Sequence, residues 1–293
     1  MLAVVILNYN DGELTKNYAE KLSSMKIVDK IVVVDNCSTD NSKSYLNSLN
    51  LVKKITVIYS DRNGGYAAGN NVGLKYIETN FPNVKYVIIS NPDIMVHEKD
   101  IDNIIKYMNK ENNAFAMTGI VYNRNDVAIK NFRYKLPTCG LLFLESSCLL
   151  RRFGSIIGLT RQYKNICKGA IVETEAMPGC FFVARFNILK MLQYFDESTF
   201  LYFEEDILFK KAKIKGYKSY IVTESKIIHL EGVSICKSLS SWLRRDRIYK
   251  KSSLVYMENY LGVGKILRFI YCIWNDFFVF ERYLNAKIRT KYL

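Results

Sequence analysis

The stretch KIVVVDNCSTDNS, Lys30 to Ser42, runs from a strand into a polar loop without a break. Its uninterrupted β-branched residues predict a strand that is buried on both faces of a sheet. Asp35 ends that strand, and open α/β sheets bind their ligands at the carboxyl ends of strands. Ser38, Thr39 and Asp40 suit an ordinary loop and a helix N-cap. Asp35 is therefore the residue here that we expect to accept a hydrogen bond from a ligand.

Strands and helices alternate around this stretch through residues 1 to 121. Short β-branched runs predict the strands, and apolar residues three or four positions apart predict the helices. Such alternation indicates βαβ units and a largely parallel sheet covered by helices, which is an α/β fold. The predicted strands are 3–7, 30–34, 55–59, 86–89 and 114–121, and the predicted helices are 11–24, 40–49, one that includes 73–79, and 99–109.

The alternation stops between residues 122 and 175, which contain the apolar stretch CGLLFLESSCLL and the basic pair Arg151 and Arg152. We expect an insertion there that covers a site, with mobile segments as the alternative. The pattern returns with a predicted strand at 179–185, a helix at 205–215 and a strand at 219–222. The chain is predicted to be helical beyond Ser238.

The composition bounds the class of protein. The chain has 293 residues, 49% of them hydrophobic, with four prolines and 15 glycines, which argues against disorder. Its seven cysteines include no CxxC pair, so a zinc site or a disulfide framework is not expected, and a reducing compartment fits best. The start, MLAVVILNYN, lacks the basic residues of a signal peptide and is predicted to be a core strand.

The positive charge is concentrated at the end of the chain. The net charge is +14, and residues 237–293 hold twelve Lys and Arg against four Asp and Glu, a net +8. Such a segment favours an anionic partner, either nucleic acid or a membrane surface, and a solvated basic face is the alternative. Its apolar run is interrupted by Lys265, Arg268, Asp276 and Arg282, so it is not predicted to span a bilayer. A helix lying in the membrane interface, or one packed on the domain or on a second subunit, fits equally well.

Three further polar clusters follow predicted strands. LNYN ends at Asn10, RNGGYAAGNNVG (62–73) precedes a helix, and SNPDIMV (90–96) follows the strand KYVII. Pro92 stops the strand because it offers no amide donor, which sets Asn91 and Asp93 at the strand's end. By itself Asn-Pro-Asp is more typical of a turn than of a site.

Taken in order, VVILNYN, IVVVDNCSTDNS, NGGYAAGNNVG and NPDI resemble the inverting nucleotide-sugar glycosyltransferases of family 2, which have the GT-A fold, and in particular their rhamnosyltransferase-like members. The resemblance continues through PGCFFVAR, FDESTFLYFEEDILFKKAKIKGY and IIHLEGVS, and covers residues 1 to about 260. It implies a nucleotide-sugar donor site in which Tyr9 lies near the base and Asp35 binds the uracil or thymine edge. The donor-binding residues that it implies are Asn8, Tyr9, Asp35, Asn63, Gly65, Asn70 and Asn91.

The resemblance also implies the catalytic groups. NPD takes the place of the family's Asp-x-Asp motif, so Asp93, with His229, is the expected ligand of Mn²⁺ or Mg²⁺. Asn91 departs from the first Asp of that motif. Glu205 matches the position of the catalytic base, and Glu204 and Asp206 are its neighbours and alternatives. His97 is a rival metal ligand, although it is more typical of a helix start.

The implied domain organisation is a GT-A domain at 1–236, with a nucleotide-sugar half (1–121) and an acceptor half (122–236) that includes the insertion, followed by a basic helical extension at 237–293. The implied activity is transfer from a UDP- or dTDP-sugar to a saccharide hydroxyl, on a lipid-linked intermediate of a surface polysaccharide. The expected location is the cytoplasmic face of a membrane, held peripherally by the extension, with a homodimer as the alternative. A catalytically silent scaffold and a nucleic-acid-binding protein are the other functions that the sequence leaves open.

Overall fold

A computed structural model of the chain describes residues 1–129, 134–163, 169–230 and 241–291. The strands are β1 (Leu2–Asn8), β2 (Lys30–Asp35), β3 (Ile55–Tyr59), β4 (Tyr86–Ser90), β5 (Ile94–Met95), β6 (Ala114–Tyr122), β7 (Ile171–Thr174), β8 (Phe181–Arg185) and β9 (Lys218–His229). The helices are α1 (Gly12–Ser23), α2 (Ser42–Asn47), α3 (Gly65–Asn80), α4 (Glu98–Lys110), α5 (Cys139–Glu145), α6 (Cys148–Ile156), α7 (Phe186–Met191), α8 (Glu204–Ile214), α9 (Trp242–Asn259), α10 (Lys265–Phe277) and α11 (Val279–Lys291). A short 3-10 helix, Ser48–Leu51, follows α2.

These strands form one sheet in the order β3-β2-β1-β4-β8-β6-β9-β5, with β7 also paired to β9. The four strands β3, β2, β1 and β4 are parallel neighbours. β8 runs antiparallel between β4 and β6, and β9 is parallel to β6. The sheet is therefore mostly parallel in direction and is flanked by helices, which confirms the predicted α/β architecture.

Successive residues of the central strands enter two different cores. Val4, Ile6, Ile31 and Val33 pack with α1 and α4 on one face of the sheet. The intervening residues, such as Val5 and Val32, pack with α3 and α8 on the other face. Burial on both faces is the reason that these strands are continuous apolar runs rather than alternating ones.

The end of β9 brings a distant segment, β5, to the edge where the parallel strands end. β5 pairs with β9 in an antiparallel register that places Ile94 opposite His229. The sequence predicted β9 only at 219–222 and no strand at β5, because the polar residues Thr223, Glu224 and Ser225 interrupt the apolar pattern. A register shift between Gly119 and Ile120 of β6 accommodates this interruption.

The third helix, predicted to include 73–79, begins at Gly65. Gly69 and Gly73 consequently lie inside α3, and their missing side chains allow α3 to pack closely on the sheet. A Cβ atom on Gly69 would come within 2.4 Å of Leu7, and one on Gly73 within 2.7 Å of Val5.

The insertion forms α5, α6 and β7 within its described parts, while 130–133 and 164–168 lie outside the described residues. The predicted helical extension forms α9, α10 and α11, and the predicted boundary at 236/237 falls outside the described residues. Tyr256 of α9 and Tyr271 of α10 are fully buried against Leu142 and Phe203, in a third core. Among the helices that the structure describes, none is both long enough and apolar enough to cross a bilayer.

Replacing Gly119 tests the close approach of β6 and β9. A Cβ atom there would lie 2.4 Å from the backbone oxygen of Ser225, so Gly119→Ala forces the two strands apart. We expect the free energy of unfolding to fall by about 1–3 kcal/mol, measured by chemical denaturation. Gly140→Ala is the matched control, because a Cβ atom at Gly140 meets nothing within 4 Å. Equal stabilities of the two variants would contradict the account of this contact.

Candidate active site

The ends of β1 and β2 are joined by a hydrogen-bond network. The register sets Asn8 beside Asp35, and Nδ2 of Asn8 donates to Oδ1 of Asp35 at 2.6 Å. The hydroxyl of Ser38 donates to the same oxygen at 2.5 Å, and the amide of Ser38 donates to Oδ2 at 3.2 Å. Thr15 donates to Oδ1 of Asn8 at 2.8 Å, which fixes the orientation of the Asn8 amide. Asp35 is held rigidly, and Oδ2 keeps lone-pair capacity for one more donor.

The start of α3 is tied to this edge by Asn36, a residue that the sequence analysis did not select. Nδ2 of Asn36 donates to Oδ1 of Asn63 at 3.0 Å and to the carbonyl of Gly65 at 3.1 Å. The amide of Gly65 donates to the same Asn63 oxygen at 3.0 Å. Gly65 has φ +85°, and a Cβ atom there would lie 2.1 Å from the carbonyl oxygen of Phe200. Position 65 therefore requires glycine, because the Phe200 backbone lies too close for any side chain.

The other residues predicted to bind the nucleotide-sugar donor lie along the same edge but differ in exposure. Tyr9 and Asn91 are partly exposed, and the amide of Asn91 donates to the carbonyl of Cys180 at 2.8 Å. Asn70 is buried within α3 and donates to the carbonyl of Tyr66 at 3.0 Å. Its Oδ1 has no hydrogen-bond partner among the described residues. Asn70 therefore contacts the protein interior, whereas Tyr9 and Asn91 are accessible to a ligand.

Asp93 and His229 meet where β5 pairs with β9. Nε2 of His229 lies 3.3 Å from Oδ1 of Asp93. Asp93 is buried, and this oxygen has no hydrogen-bond partner within the described part of the chain. A buried carboxylate oxygen without a partner costs free energy unless another group satisfies it. The pair fits two ligands of a divalent cation.

These two side chains are an incomplete metal shell by themselves. The described ranges contain no group of three or more His, Cys, Asp and Glu residues that could hold a metal ion. Mg²⁺ and Mn²⁺ commonly complete their coordination with substrate phosphates and water. His97, the rival ligand, is exposed at the N-cap position of α4 and belongs to the helix start. The Gly-x-Ser that follows His229 in the sequence lies outside the described residues.

The three acidic residues Glu204, Glu205 and Asp206 form the first turn of α8. Glu204 and Asp206 are buried, and Oε1 of Glu204 has no hydrogen-bond partner in the described structure. The preceding residue, Phe203, has φ +70°, a left-handed conformation that directs the chain sharply into the helix. The N-terminus of a helix favours negative charge, which offsets part of the repulsion among the three carboxylates.

Gly179 makes room for the carboxylate of Glu205. A Cβ atom on Gly179 would lie 1.8 Å from Oε1 of Glu205, so no side chain is tolerated there without displacing the carboxylate. Tyr66 adds a second contact to this segment, since its hydroxyl donates to the carbonyl of Gly179 at 2.7 Å. The turn before β8 thus fixes the position of Glu205.

Burial raises the pKa of Glu205 to about 7. The negative charge of Asp206 raises this pKa further, whereas hydrogen bonds from backbone amides and the positive charge of Arg161 lower it. Burial also raises the pKa of Glu204 and of Asp206. A carboxyl group with a pKa near 7 has the strength of a general base suited to neutral pH.

Arg161, from the insertion, is the cation that stabilises this cluster. Its guanidinium pairs with Asp206 and also donates to the carbonyl of Lys135 at 3.1 Å. The guanidinium lies 5.1 Å from the ring centroid of Tyr134. Arg161 therefore fixes Asp206, whereas Glu204 and Glu205 have no ion pair in the described structure.

Glu205 and Asp206 line a cavity of about 750 Å³ that is covered by the insertion. This volume is in the range of sites that bind organic ligands. Helices α5 and α6 of the insertion form one wall of this cavity. The lining residues are Tyr134, Leu141, Leu144, Glu145, Arg151, Arg152, Ser155, Leu159, Thr160, Arg161, Gln162, Tyr202, Phe203, Glu205, Asp206 and Tyr249.

Cys180 lies near both Asp93 and Glu205. Burial raises the pKa of the Cys180 thiol, and the charges of Asp93 and Glu205 both raise it further. The carbonyl of Cys180 accepts from Asn91, while the adjacent Gly179 contacts Glu205. The turn before β8 therefore connects the polar strand ends to the acidic cluster.

A sequence profile of the family described as "Glycosyl transferase family 2" matches residues 3–185. The matched region includes β1 to β4, the Asn8–Asp35 network, Asp93 and all of β8. The chain belongs to glycosyl transferase family 2. This confirms the resemblance seen in the ordered motifs.

Two curated relatives agree with this assignment. The "Low-salt glycan biosynthesis hexosyltransferase Agl10" of Haloferax volcanii is 26% identical over 204 residues, which are 70% of this chain and 59% of the relative. The "Rhamnosyltransferase WbbL" of Escherichia coli K12 is 24% identical over 238 residues, covering 78% of this chain and 83% of the relative. The chain thus spans little more than half the length of the first of these family 2 proteins.

Solved structures confirm the GT-A fold. A mannosyltransferase from Pyrobaculum calidifontis, in complex with GDP-Man and Mn²⁺, superposes with a TM-score of 0.59 at 15% identity, over 90% of this chain and 65% of that one. GalNAc-T7 with UDP, GalNAc and Mn²⁺ superposes with a TM-score of 0.57 at 15% identity, over 80% of this chain and 44% of that one. Both are GT-A glycosyltransferases, and the likeness at this identity concerns the fold.

Sequence reasoning missed Asn36, Gly179 and Arg161. Asn36 follows Asp35 directly, so its place at a strand end was a readable signal. Gly179 precedes a predicted strand, but the need for glycine arises from the distant Glu205. Arg161 lies in the insertion, where the sequence offered no pattern that relates it to Asp206.

The charge of Arg161 predicts a pH effect. Arg161→Gln removes the charge that lowers the pKa of Glu205, and it leaves Asp206 unpaired, so the pKa of Glu205 rises. A base acts when deprotonated, and activity therefore increases with pH through its pKa. We expect the acidic limb of the kcat profile to move to higher pH. Lys213→Gln, which removes a charge from the last turn of α8, is the control. Profiles that overlay for Arg161→Gln and the wild type would contradict this electrostatic role.

Proposed function

We propose that this protein is an inverting glycosyltransferase in which Glu205 is the catalytic base. The observation that carries the proposal is the Glu205 carboxyl group, with a pKa of about 7, lining the cavity beneath the insertion. The donor would occupy the edge formed by the ends of β1, β2 and β4, and the acceptor would occupy the cavity. The turn at Gly179 and Cys180 joins the two regions.

In the proposed reaction Glu205 accepts the proton of an acceptor hydroxyl. The hydroxyl oxygen forms a bond to the anomeric carbon of the donor sugar. The bond from that carbon to the nucleoside diphosphate breaks on the opposite face, and the diphosphate leaves with the electron pair. Attack opposite to the leaving group inverts the anomeric configuration. Burial of Glu205 makes its carboxylate basic enough for the proton transfer at neutral pH.

Asp93 and His229 would hold Mn²⁺ or Mg²⁺ in this site. When bound, the cation neutralises negative charge on the leaving diphosphate. The unpartnered Oδ1 of Asp93 and the adjacent Nε2 of His229 support the assignment. Asn91 stands where the family's motif has a second carboxylate, so the protein supplies one negative charge fewer to this site. The two fold relatives named above were solved with Mn²⁺, which is consistent with a divalent metal.

The proposed donor is a UDP- or dTDP-sugar. Asp35 is held by Asn8 and Ser38 with Oδ2 able to accept from the imide of uracil or thymine. Tyr9 is partly exposed beside Asn8, where a base would lie. We propose a saccharide acceptor from surface-polysaccharide assembly, at the cytoplasmic face of a membrane. The basic extension and the two relatives, a glycan-biosynthesis hexosyltransferase and a rhamnosyltransferase, support this setting.

Glu205→Gln tests the assignment of the base. The amide cannot accept the proton, and general base catalysis typically contributes about 10²–10⁴-fold, so we expect kcat to fall by at least about 100-fold. Donor affinity should remain near that of the wild type, as measured by calorimetry. Glu20→Gln, at an exposed position of α1, is the control for charge loss. Near-normal turnover in Glu205→Gln would contradict the role and direct attention to Glu204 or Asp206.

Asp93→Ala tests the metal site by a binding measurement. We expect UDP or dTDP to bind the wild type more tightly with Mn²⁺ than without it. In Asp93→Ala the affinity with Mn²⁺ should fall to the metal-free value, because the buried carboxylate ligand is lost. His97→Ala, at the rival position, should keep the wild-type dependence. Unchanged Mn²⁺ dependence in Asp93→Ala would refute the site, and no nucleotide binding under any condition would indicate a catalytically silent scaffold.

A further inference from the structure

Two arginines of α6 carry positive charge into the lining of the cavity. Arg151 and Arg152 are both exposed and both line the cavity that contains Glu205. Neither forms an ion pair in the described part of the chain. Burial raises the pKa of Glu145, and the nearby charge of Arg151 lowers it by a smaller amount. The sequence analysis noted this pair, and the catalytic proposal gives it no role.

The same helix exposes apolar side chains beside these arginines. Leu149, Phe153 and Ile156 are spaced four and three residues apart, which places them on one face of α6. All three are more than half exposed, and Ile156 reaches 76%. Arg152 lies three residues after Leu149 and four before Ile156, so it belongs to this face as well. The outer face of α6 is therefore apolar with a cation within it.

A second exposed apolar row lies on α10. Ile266, Phe269, Ile273 and Phe277 follow one another at intervals of three or four residues, and all are more than half exposed. The opposite side of α10 is buried through Tyr271 and Asn275. Exposed apolar surface of this extent is unusual for a monomer without a partner.

The helices that carry the two rows are connected through α5 and α11. Oε1 of Glu281 in α11 accepts from the amide of Leu149 in α6 at 2.8 Å. Nε1 of Trp274 in α10 donates to the carbonyl of Phe143 in α5 at 3.0 Å. The cavity wall and the C-terminal helices are thus one packed unit. We call α6 and α10, with their exposed apolar rows, the apolar face.

The charges on this unit favour a bilayer over a second copy of the chain as the partner of the apolar face. Arg152 lies within one row and the exposed Lys265 begins the helix that carries the other. A protein interface is depleted of charge at its centre, and burial of an unpaired cation there is costly. At a membrane surface the same cations meet lipid phosphates while the apolar side chains enter the acyl boundary. The net +8 of residues 237–293 adds to this attraction.

We propose that the apolar face binds an anionic membrane and that Arg151 and Arg152 bind the diphosphate of a lipid-linked acceptor. Guanidinium groups bind phosphate oxygens through paired hydrogen bonds, and two adjacent arginines suit a diphosphate. The hydrocarbon would lie against the apolar rows, and the saccharide would enter the cavity toward Glu205. This inference rests on the proposed function, since it names the acceptor of that site.

Vesicle binding tests the membrane part. Phe269→Glu combined with Ile273→Glu places two negative charges in the row of α10. We expect sedimentation with vesicles of phosphatidylcholine and phosphatidylglycerol to weaken by about tenfold or more, because acidic groups oppose both burial and the anionic surface. Leu51→Glu combined with Ile214→Glu, at exposed positions outside the apolar face, is the matched control and should bind as the wild type does. Equal binding by all three proteins would overturn the membrane assignment.

Light scattering after size-exclusion chromatography distinguishes a bilayer from a second copy. The expected wild-type species is a monomer, and it should remain so in both double variants. A wild-type dimer that Phe269→Glu with Ile273→Glu dissociates would overturn the proposal, because the apolar face would then be a subunit interface.

Farnesyl diphosphate tests the arginine site as a soluble probe. Calorimetry is done in EDTA, so that the donor site cannot bind diphosphate through a cation. We expect binding to the wild type, affinity reduced by about tenfold or more in Arg151→Ala with Arg152→Ala, and no measurable binding of farnesol. Lys99→Ala with Lys106→Ala, an equal loss of charge on α4, is the control. Equal affinity of the arginine variant and the wild type would overturn the site.

A donor measurement separates failure of this inference from failure of the proposed function. Binding of UDP or dTDP with Mn²⁺ should be unchanged in Arg151→Ala with Arg152→Ala, because these residues line the acceptor cavity alone. Normal nucleotide binding with equal farnesyl diphosphate affinity would refute only the acceptor site. Absence of nucleotide binding in the wild type would refute the proposed function instead.

Discussion

The crowding of three consecutive carboxyl groups at the start of α8, with Glu204 and Asp206 buried and Glu205 half-buried, is the constraint on which the site depends. Charged groups removed from water are unstable unless they are paired, hydrogen-bonded or neutralised. Arg161 pairs with Asp206, and the helix N-terminus and Gly179 accommodate Glu205. The remaining cost appears as a raised pKa, which burial brings to about 7 at Glu205. The same burial that destabilises the carboxylate makes it a stronger base.

The sheet places this cluster beside the donor edge. β1 to β4 are parallel, so their carboxyl ends lie at the same edge of the sheet. Asn8, Asp35 and Asp93 therefore lie at that edge. β8 then runs antiparallel to β4, which brings the turn at Gly179 back to the same edge. The insertion covers the acidic cluster, contributes Arg161 and forms the cavity wall that carries Arg151 and Arg152.

The sequence predicted those parts of the molecule whose causes are local. β1 and β2 were recognised because burial on both faces requires continuous β-branched runs. Asp93 and His229, which the family resemblance paired, lie 3.3 Å apart. Features caused by distant neighbours could not be predicted in this way. The β9 strand was extended by its pairing with β5 and β6 despite a polar interruption. The packing of Gly69 and Gly73 of α3 on the sheet could not be predicted either, because no local pattern reveals it.

The most direct test of the central claim is the titration of Glu205 itself. Carboxyl resonances can be followed by NMR against pH in protein labelled with ¹³C at the glutamate side-chain carboxyl, and Glu205→Gln assigns the resonance that it removes. The account predicts that this resonance titrates at about pH 7. A Glu205 resonance that titrates near the ordinary glutamate value of about 4.3 would contradict it.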